Sequence, residues 1–273
     1  MLGKLLKYDL WDVSKVLLPV HIGVIILTLI ETLILTLKEM TEYLSATVII
    51  LMTGAYSIYL IAAAALTVIF IVYHFYKSLY SDRGYLTFTL PVKTTTLLIS
   101  KTLTALIWGL INAIVTGGCI FLIFYLTSDL LRDFWKTVLQ FREHSELFNI
   151  FFWAQIPILP ILFLIALFLT YSRFYMCFTL GQMFGSHRFA FGLLTWFGLN
   201  IIRQVVSFIG EIVLFSTVPG HAWLMRVTCI TSIEDLTRFF YGLELLSAIF
   251  MLLFGAIYWI IAAKLMKNKL NLA

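Results

Sequence analysis

Long apolar runs alternate with short polar connections along the whole chain. Six runs reach the length of roughly 20 residues that an α-helix needs to cross about 30 Å of hydrocarbon. They cover approximately residues 16–37, 48–73, 102–127, 150–171, 189–215 and 242–263. Their apolar character is continuous and lacks the period-two alternation of barrel strands, so each run predicts a helix. The pattern predicts an all-α integral membrane fold, with six transmembrane helices in a single domain over residues 1–273.

The composition is typical of a membrane protein, and the distribution of positive charges predicts on which side of the membrane the termini lie. Hydrophobic residues make up 62% of the chain and charged residues 12%, which lies outside the usual range of soluble domains. Of the 19 Lys and Arg residues, 12 lie before the first run and after the even-numbered runs, and six lie after the odd-numbered runs. This bias predicts cytoplasmic N- and C-termini. A basic inner face against anionic membrane lipid then explains the net charge of +5, and no nucleic acid partner is needed.

The first 15 residues carry the pattern of a helix that lies in the membrane surface. At 100° per residue one face is apolar and the opposite face is basic, although Asp9 interrupts the apolar face. The apolar positions are Leu2, Leu5, Leu6, Leu10 and Val13, and the basic positions are Lys4, Lys7 and Lys15. This distribution predicts an N-terminal interfacial helix over residues 1–15. The alternative is that the segment is only the basic flank of the first span.

Polar residues inside the apolar runs are the candidates for a translocation route. Arg203 lies near the middle of the fifth run, Glu211 lies two turns further on, Glu31 lies in the first run and Asn112 in the third. Charges at membrane depth are costly, so they tend to face a bundle interior or a water-filled path. We expect Arg203 to pair with Glu31 or Glu211. The cluster either lines a polar route or only fixes helix packing.

Motifs for catalysis or nucleotide binding are absent from the sequence. There is no GxxxxGK[ST] phosphate loop, no GxGxxG, no HExxH, no CxxC and no G-x-S-x-G. The five histidines and three cysteines have no metal-binding spacing. We therefore expect no catalytic site, no metal site and no cofactor in this chain.

The connection over residues 74–101 is both basic and aromatic. It holds four basic residues against one acid, Asp82, together with many apolar side chains such as Phe75 and Leu79. A solvated connector rarely carries so much apolar surface, so we expect lipid headgroups or another protein to cover it. Gly84 permits a tight turn and Pro91 biases the residue before it toward extended geometry. These breakers predict a short helix or turn between them.

The same connection resembles a known family. The string FYKSLYSDRGYLTFTLPVKTTTLLISK, from Phe75 to Lys101, resembles the inner loop of ABC-2 type permeases of Gram-positive bacteria. In that loop F-Y-x-x-L-x-x-x-x-G-Y-L-T-x-x-L-P precedes a Lys at the membrane. The opening MLGKLLKYDL and the turn GQMFGSHR, at residues 181–188, are similar to segments of the same family. Apolar character also continues past the fourth run to this turn, so we expect the fourth helix to extend to Gly181.

The resemblance implies a membrane subunit of an ATP-driven exporter in the plasma membrane of a bacterium. Two six-helix permease subunits pair, as a homodimer or a heterodimer, and each rests on a separate ATP-binding cassette ATPase that holds ATP and Mg. A cytoplasmic coupling helix in the first inner loop would dock in the ATPase. The implied ATPase-coupling residues are Lys77, Tyr80, Asp82, Arg83, Gly84, Tyr85, Leu86, Phe88 and Pro91. The residues implied in a second cytoplasmic contact are Gly181, Phe184, His187 and Arg188.

Substrate class and two alternative functions stay open at this point. An aromatic content of 16% and few charges within the runs favour an amphipathic or hydrophobic compound, such as a peptide, antibiotic, drug or lipid. One alternative is an ion-coupled carrier or channel that acts without an ATPase. Another is a membrane immunity or interaction protein that binds a toxic peptide without moving it. Residues 216–241 either re-enter the membrane or fold on its surface.

Overall fold

The structure is a computed structural model in which six α-helices are described. It describes residues 1–36, 46–81, 84, 87, 89, 91–127, 133–134, 136–140, 146–184, 187–217 and 233–268. The helices are α1 (Leu2–Thr36), α2 (Ala46–Tyr80), α3 (Thr94–Thr127), α4 (Glu146–Gly181), α5 (Arg188–Thr217) and α6 (Ile233–Asn268). No strand occurs within these ranges. The predicted all-α fold is therefore confirmed.

Five of the six helices are long and apolar enough to cross a membrane. They are α1, α2, α3, α4 and α6, so the chain has the character of a multi-pass helical membrane protein. Helix α5 covers the predicted fifth run, but over its described residues it does not meet the same criterion. Six membrane spans therefore stay a prediction.

The N-terminal segment does not form a helix of its own. Helix α1 runs without interruption from Leu2 to Thr36 and includes Pro19. Its buried face continues through Val13, Leu17 and Val24 at helical spacing, so the first four turns and the apolar run pack as one element. The separate interfacial helix over residues 1–15 is not confirmed.

Helices α1, α2 and α3 form the first of two compact units, Met1–Val138. Helix α1 packs against both α2 and α3, which also pack against each other. A core cluster contains residues from all three helices, and they are Val24, Tyr56, Leu60, Ala63 and Cys119. Thr28 on α1 and Tyr56 on α2 add a buried hydrogen bond of 2.8 Å between their hydroxyl groups.

Helices α4, α5 and α6 form the second unit, Leu139–Ala273. Helix α4 packs against both α5 and α6. At Gly255 of α6 a Cβ atom would lie 2.9 Å from the Phe168 ring of α4, so glycine allows this close approach. Helix α4 extends to Gly181, as its apolar pattern predicts. Whether the two units form the single membrane domain predicted over residues 1–273 depends on how they assemble, so the single domain stays a prediction.

Candidate functional site

A buried polar cluster joins the three helices of the first unit. Lys101 of α3 is 6% exposed, and its Nζ donates to Asp9 Oδ1 of α1 at 2.5 Å. Ser100 Oγ donates to the other carboxylate oxygen at 2.7 Å. His74 of α2 completes the cluster, with Nε2 at 3.3 Å from Lys101 Nζ and 3.6 Å from Asp9 Oδ1. We call Asp9, His74, Ser100 and Lys101 the charge clamp.

The charge clamp lies next to both ends of the connection that resembles the coupling loop. His74 comes six residues before the end of α2 at Tyr80, and Lys101 comes seven residues after the start of α3 at Thr94. Each is therefore within about two helical turns of residues 81–93, which join the two helices and contain the segment that we call the 82–90 connection. A buried ion pair is held only while both partners and their hydrogen bonds are present. The arrangement fixes α1, α2 and α3 to one another at this level.

A second carboxylate flanks the charge clamp. Asp12 Oδ2 lies 3.7 Å from His74 Nδ1, while Asp9 lies on the Nε2 side of the same ring. Asp12 is about half exposed and also lies 3.6 Å from Lys15 on its own helix. The imidazole thus stands between two acids of α1. This position ties the last turns of α2 to α1 on two sides of the ring.

The described part of the connection folds back on the end of α2. The Gly84 amide donates to the Ser81 carbonyl at 2.6 Å, and Thr87 Oγ1 donates to the Ser78 carbonyl at 2.9 Å. A Cβ atom at Gly84 would overlap the Leu79 carbonyl oxygen, so a larger residue would displace this turn. A residue without Cβ therefore fits at position 84, and the role of Gly84 in coupling stays a prediction.

Part of the apolar surface predicted to face a partner is covered by the unit itself. Phe75 and Leu79 are almost fully buried, in line with Ile71 and Val72 on the same face of α2. Helical spacing explains the difference, because α2 continues to Tyr80 and these residues belong to its packed face. The prediction that lipid or another protein covers Phe75 and Leu79 is wrong.

The implied coupling residues fall into two groups. Lys77 and Tyr80 lie on the last turn of α2, where Lys77 Nζ is 5.4 Å from the Tyr73 ring and Tyr80 meets Phe75 edge to face at 5.8 Å. Pro91 is exposed just before α3. The remaining coupling residues lie outside the described part of the chain, and they are Asp82, Arg83, Tyr85, Leu86 and Phe88.

The implied second contact forms a tight connection between α4 and α5. A Cβ atom at Gly181 would lie 2.6 Å from the Gly192 amide nitrogen, so the two helices touch backbone to backbone there. Phe184 stacks on Phe191 with ring centroids 5.2 Å apart. His187 and Arg188 are exposed at the start of α5. The turn thus presents an aromatic and basic surface.

The predicted polar residues of the spans are not brought together within one unit. In the first unit, the 5% exposed Glu31 accepts a hydrogen bond from Thr53 at 2.7 Å, and Asn112 accepts one from Thr67 at 3.3 Å. Arg203 belongs to the second unit, where it is exposed. Glu211 lies on α5, but its side chain is outside the described residues. The pairing of Arg203 with either glutamate stays a prediction.

Sequence reasoning missed the charge clamp, although one signal was visible. Asp9 interrupts the apolar face of the N-terminal segment, and its partner Lys101 lies 92 residues away.

Among the described residues, no group of three or more His, Cys, Asp or Glu side chains is arranged to hold a metal ion.

Comparisons with known proteins give no relative for this chain: no family model, no curated protein and no solved structure matches it.

Proposed function

We propose that this chain is the membrane-spanning permease subunit of an ATP-binding cassette exporter. It moves an amphipathic or hydrophobic compound across the plasma membrane of a bacterium, and a separate ATPase subunit supplies the energy. The observation that carries the proposal is the charge clamp, which fixes three helices of one unit beside the two ends of the 82–90 connection. The resemblance of residues 75–101 to an ABC-2 inner loop supplies the identity of the partner.

The charge clamp suits a connection that transmits movement. Helices α2 and α3 are continuous over 35 and 34 residues, so each is about 50 Å long. A force on the connection acts on both helices, and the buried Lys101 to Asp9 contact carries α1 with them. The ATPase would thereby move three helices as one body. Alternating access in a pair of such subunits requires this kind of rigid displacement.

The arrangement of the complex follows from the same proposal. Both termini and the 82–90 connection lie in the cytoplasm, ATP and Mg are bound by the ATPase, and a second permease subunit completes the pathway. The turn with Gly181 and Arg188 makes the second contact with the ATPase, through the exposed Phe184 and His187.

Purification from the native membrane in mild detergent tests the proposal. We expect an ATPase to co-purify with the chain and to be lost when the connection carries Tyr85→Ser, Leu86→Ser and Phe88→Ser together. Phe134→Ser is the matched control, because Phe134 is an exposed aromatic residue in the connection between α3 and α4. Absence of any ATPase from the wild-type preparation, under conditions that keep other membrane complexes intact, would contradict the proposal.

A second candidate function rests on Glu31. Its carboxylate is buried within an apolar helix and held by Thr53, and buried acids in membrane helices often take part in ion pathways. An ion-coupled carrier would therefore use Glu31. Transport by the purified chain in vesicles without any ATPase, abolished by Glu31→Gln, would favour this second candidate over the exporter.

A further inference from the structure

The register between α4 and α5 is set at their connecting turn. Glycine meets glycine where Gly181 contacts Gly192, and four residues earlier on α4 the Cys177 carbonyl accepts a hydrogen bond from Thr195 Oγ1 at 3.2 Å. One further turn along, the register places Arg173 opposite Asn200. Arg173 Nη1 donates to Asn200 Oδ1 at 3.1 Å.

Arg173 sits in an environment rich in donors. Its guanidinium lies 5.8 Å from the ring centroid of Trp196, which itself stacks on Phe174 at 5.1 Å. The Nε of Arg173 and the indole Nε1 of Trp196 are both buried, and neither has an acceptor among the described residues. Buried donors without acceptors are rare in folded proteins. This part of the second unit therefore offers hydrogen bonds that its own side chains do not accept.

A second arginine adds charge of the same sign. Arg203 follows Asn200 by three residues, about one turn of α5, so it lies on the face of α5 that contacts Arg173 through Asn200. In the described part of the chain, neither arginine forms an ion pair with an acid. Two neighbouring guanidinium groups are stable together when an anion neutralises them. An anion that accepts hydrogen bonds would therefore satisfy both the positive charge and the donors that lack acceptors.

We propose that Arg173 and Arg203 bind the phosphate group of an anionic phospholipid. Arginine suits phosphate because its planar fork donates two parallel hydrogen bonds to the oxygen atoms. The acyl chains have an apolar surface to follow, because Phe197, Ile201 and Ile202, in the two turns of α5 before Arg203, are exposed.

The depth of the site fits a lipid headgroup. Arg173 lies eight residues before Gly181, the last residue of α4, which is about 12 Å along the helix. Arg173 also lies two residues beyond the fourth apolar run, 150–171, and its contact with Asn200 puts Arg203 about one turn further along α5 from that level. Long arginine side chains at this depth extend to the headgroups. The site lies within the second unit alone and needs no ATPase, so it stands or falls independently of the exporter proposal.

Lipid binding to the purified full chain tests the site. Titrations with phosphatidylglycerol and with phosphatidylcholine of the same acyl chains are followed by native mass spectrometry. We expect at least tenfold preference for phosphatidylglycerol, and about a tenfold loss of that binding in Arg203→Gln, because the variant loses a charge-assisted hydrogen bond to the phosphate. Lys264→Gln is the control, because it removes one exposed positive charge from α6 of the same unit.

Two further arms make the outcome decisive. Arg173→Gln should cause a similar or larger loss, and if it fails to fold, Arg203→Gln decides the matter because Arg203 is exposed. Equal loss in Lys264→Gln, or equal binding of the two lipids by the wild type, would overturn the proposal. Competition by millimolar inorganic phosphate would overturn the lipid assignment in favour of a free anion.

Discussion

The first unit and the second unit differ in how their charged side chains are partnered. In the first, the Lys101 ammonium meets the Asp9 carboxylate inside a network of hydrogen bonds. In the second, the partly buried Arg173 contacts Asn200, one turn of α5 before Arg203, and among the described residues neither arginine forms an ion pair with an acid. A matched pair stabilises a fixed arrangement of helices, whereas an unmatched pair is suited to a ligand from outside. The contrast sets the mechanical role that we propose for the first unit against the lipid-binding role that we propose for the second.

The largest expected effect comes from unpairing the matched charges. Lys101→Met leaves the Asp9 carboxylate, which is 15% exposed, without its cation. Removal of one partner from a buried ion pair costs about 3–5 kcal/mol, and we expect that loss in the free energy of unfolding measured in detergent.

An exposed pair in the same unit is the control for Lys101→Met. Lys136 and Asp133 lie 3.0 Å apart, with side chains 74% and 68% exposed. Lys136→Met should cost less than about 1 kcal/mol, because exposed ion pairs contribute little. Similar losses in the free energy of unfolding for Lys101→Met and Lys136→Met would mean that the charge clamp stabilises the protein no more than an exposed ion pair does.

A smaller loss should follow when one hydrogen bond of the charge clamp is removed. Ser100→Ala deletes the donor to Asp9 Oδ2 and keeps the ion pair. A hydrogen bond to a charged group contributes about 1.5–3 kcal/mol, so chemical denaturation should show a loss in that range. Ser57→Ala, whose exposed hydroxyl donates to the Thr53 carbonyl of its own helix, should change stability by less than about 0.5 kcal/mol. A Ser100→Ala variant as stable as the control would contradict the assigned network.

The smallest effect on stability is expected at the unmatched charges. Arg203→Gln removes an exposed cation and the repulsion it exerts on Arg173. In lipid-free detergent the free energy of unfolding should therefore change by less than about 0.5 kcal/mol, and any change should be an increase. A loss comparable with that of Lys101→Met would mean that Arg203 has an acid partner, which would restore the pairing with Glu31 or Glu211 as the better interpretation.

Hydropathy was sufficient for most of the fold because long apolar runs leave the backbone no alternative to a helix in lipid. The extension of α4 to Gly181 also followed from its apolar pattern. Hydropathy did not show that the first 15 residues continue the first apolar run, since α1 is one uninterrupted helix from Leu2 to Thr36. The need for a small residue at Gly84 could also be predicted from the sequence, and a Cβ there would overlap the Leu79 carbonyl oxygen.

The charge clamp could not be predicted from the sequence, and the physical reason is different. Sequence shows which residues share a helix face, but not which helices are neighbours. Asp9 and Lys101 are 92 positions apart, and only their packing brings them together. The burial of Phe75 and Leu79, in contrast, had a local signal, since they are four residues apart on one face of α2. The basic and aromatic composition of the connection drew attention away from that spacing.

Hydrogen exchange in the Lys101→Met variant tests most directly whether the charge clamp holds the helix ends beside the 82–90 connection. Local opening controls the exchange of such amides, so those of residues 76–81 and 96–101 should exchange at least tenfold faster than in the wild type. Amides at the far end of α2, in residues 50–60, should change much less, and Lys136→Met should leave both regions unchanged. Equal exchange of the helix ends in Lys101→Met and the wild type would contradict the account.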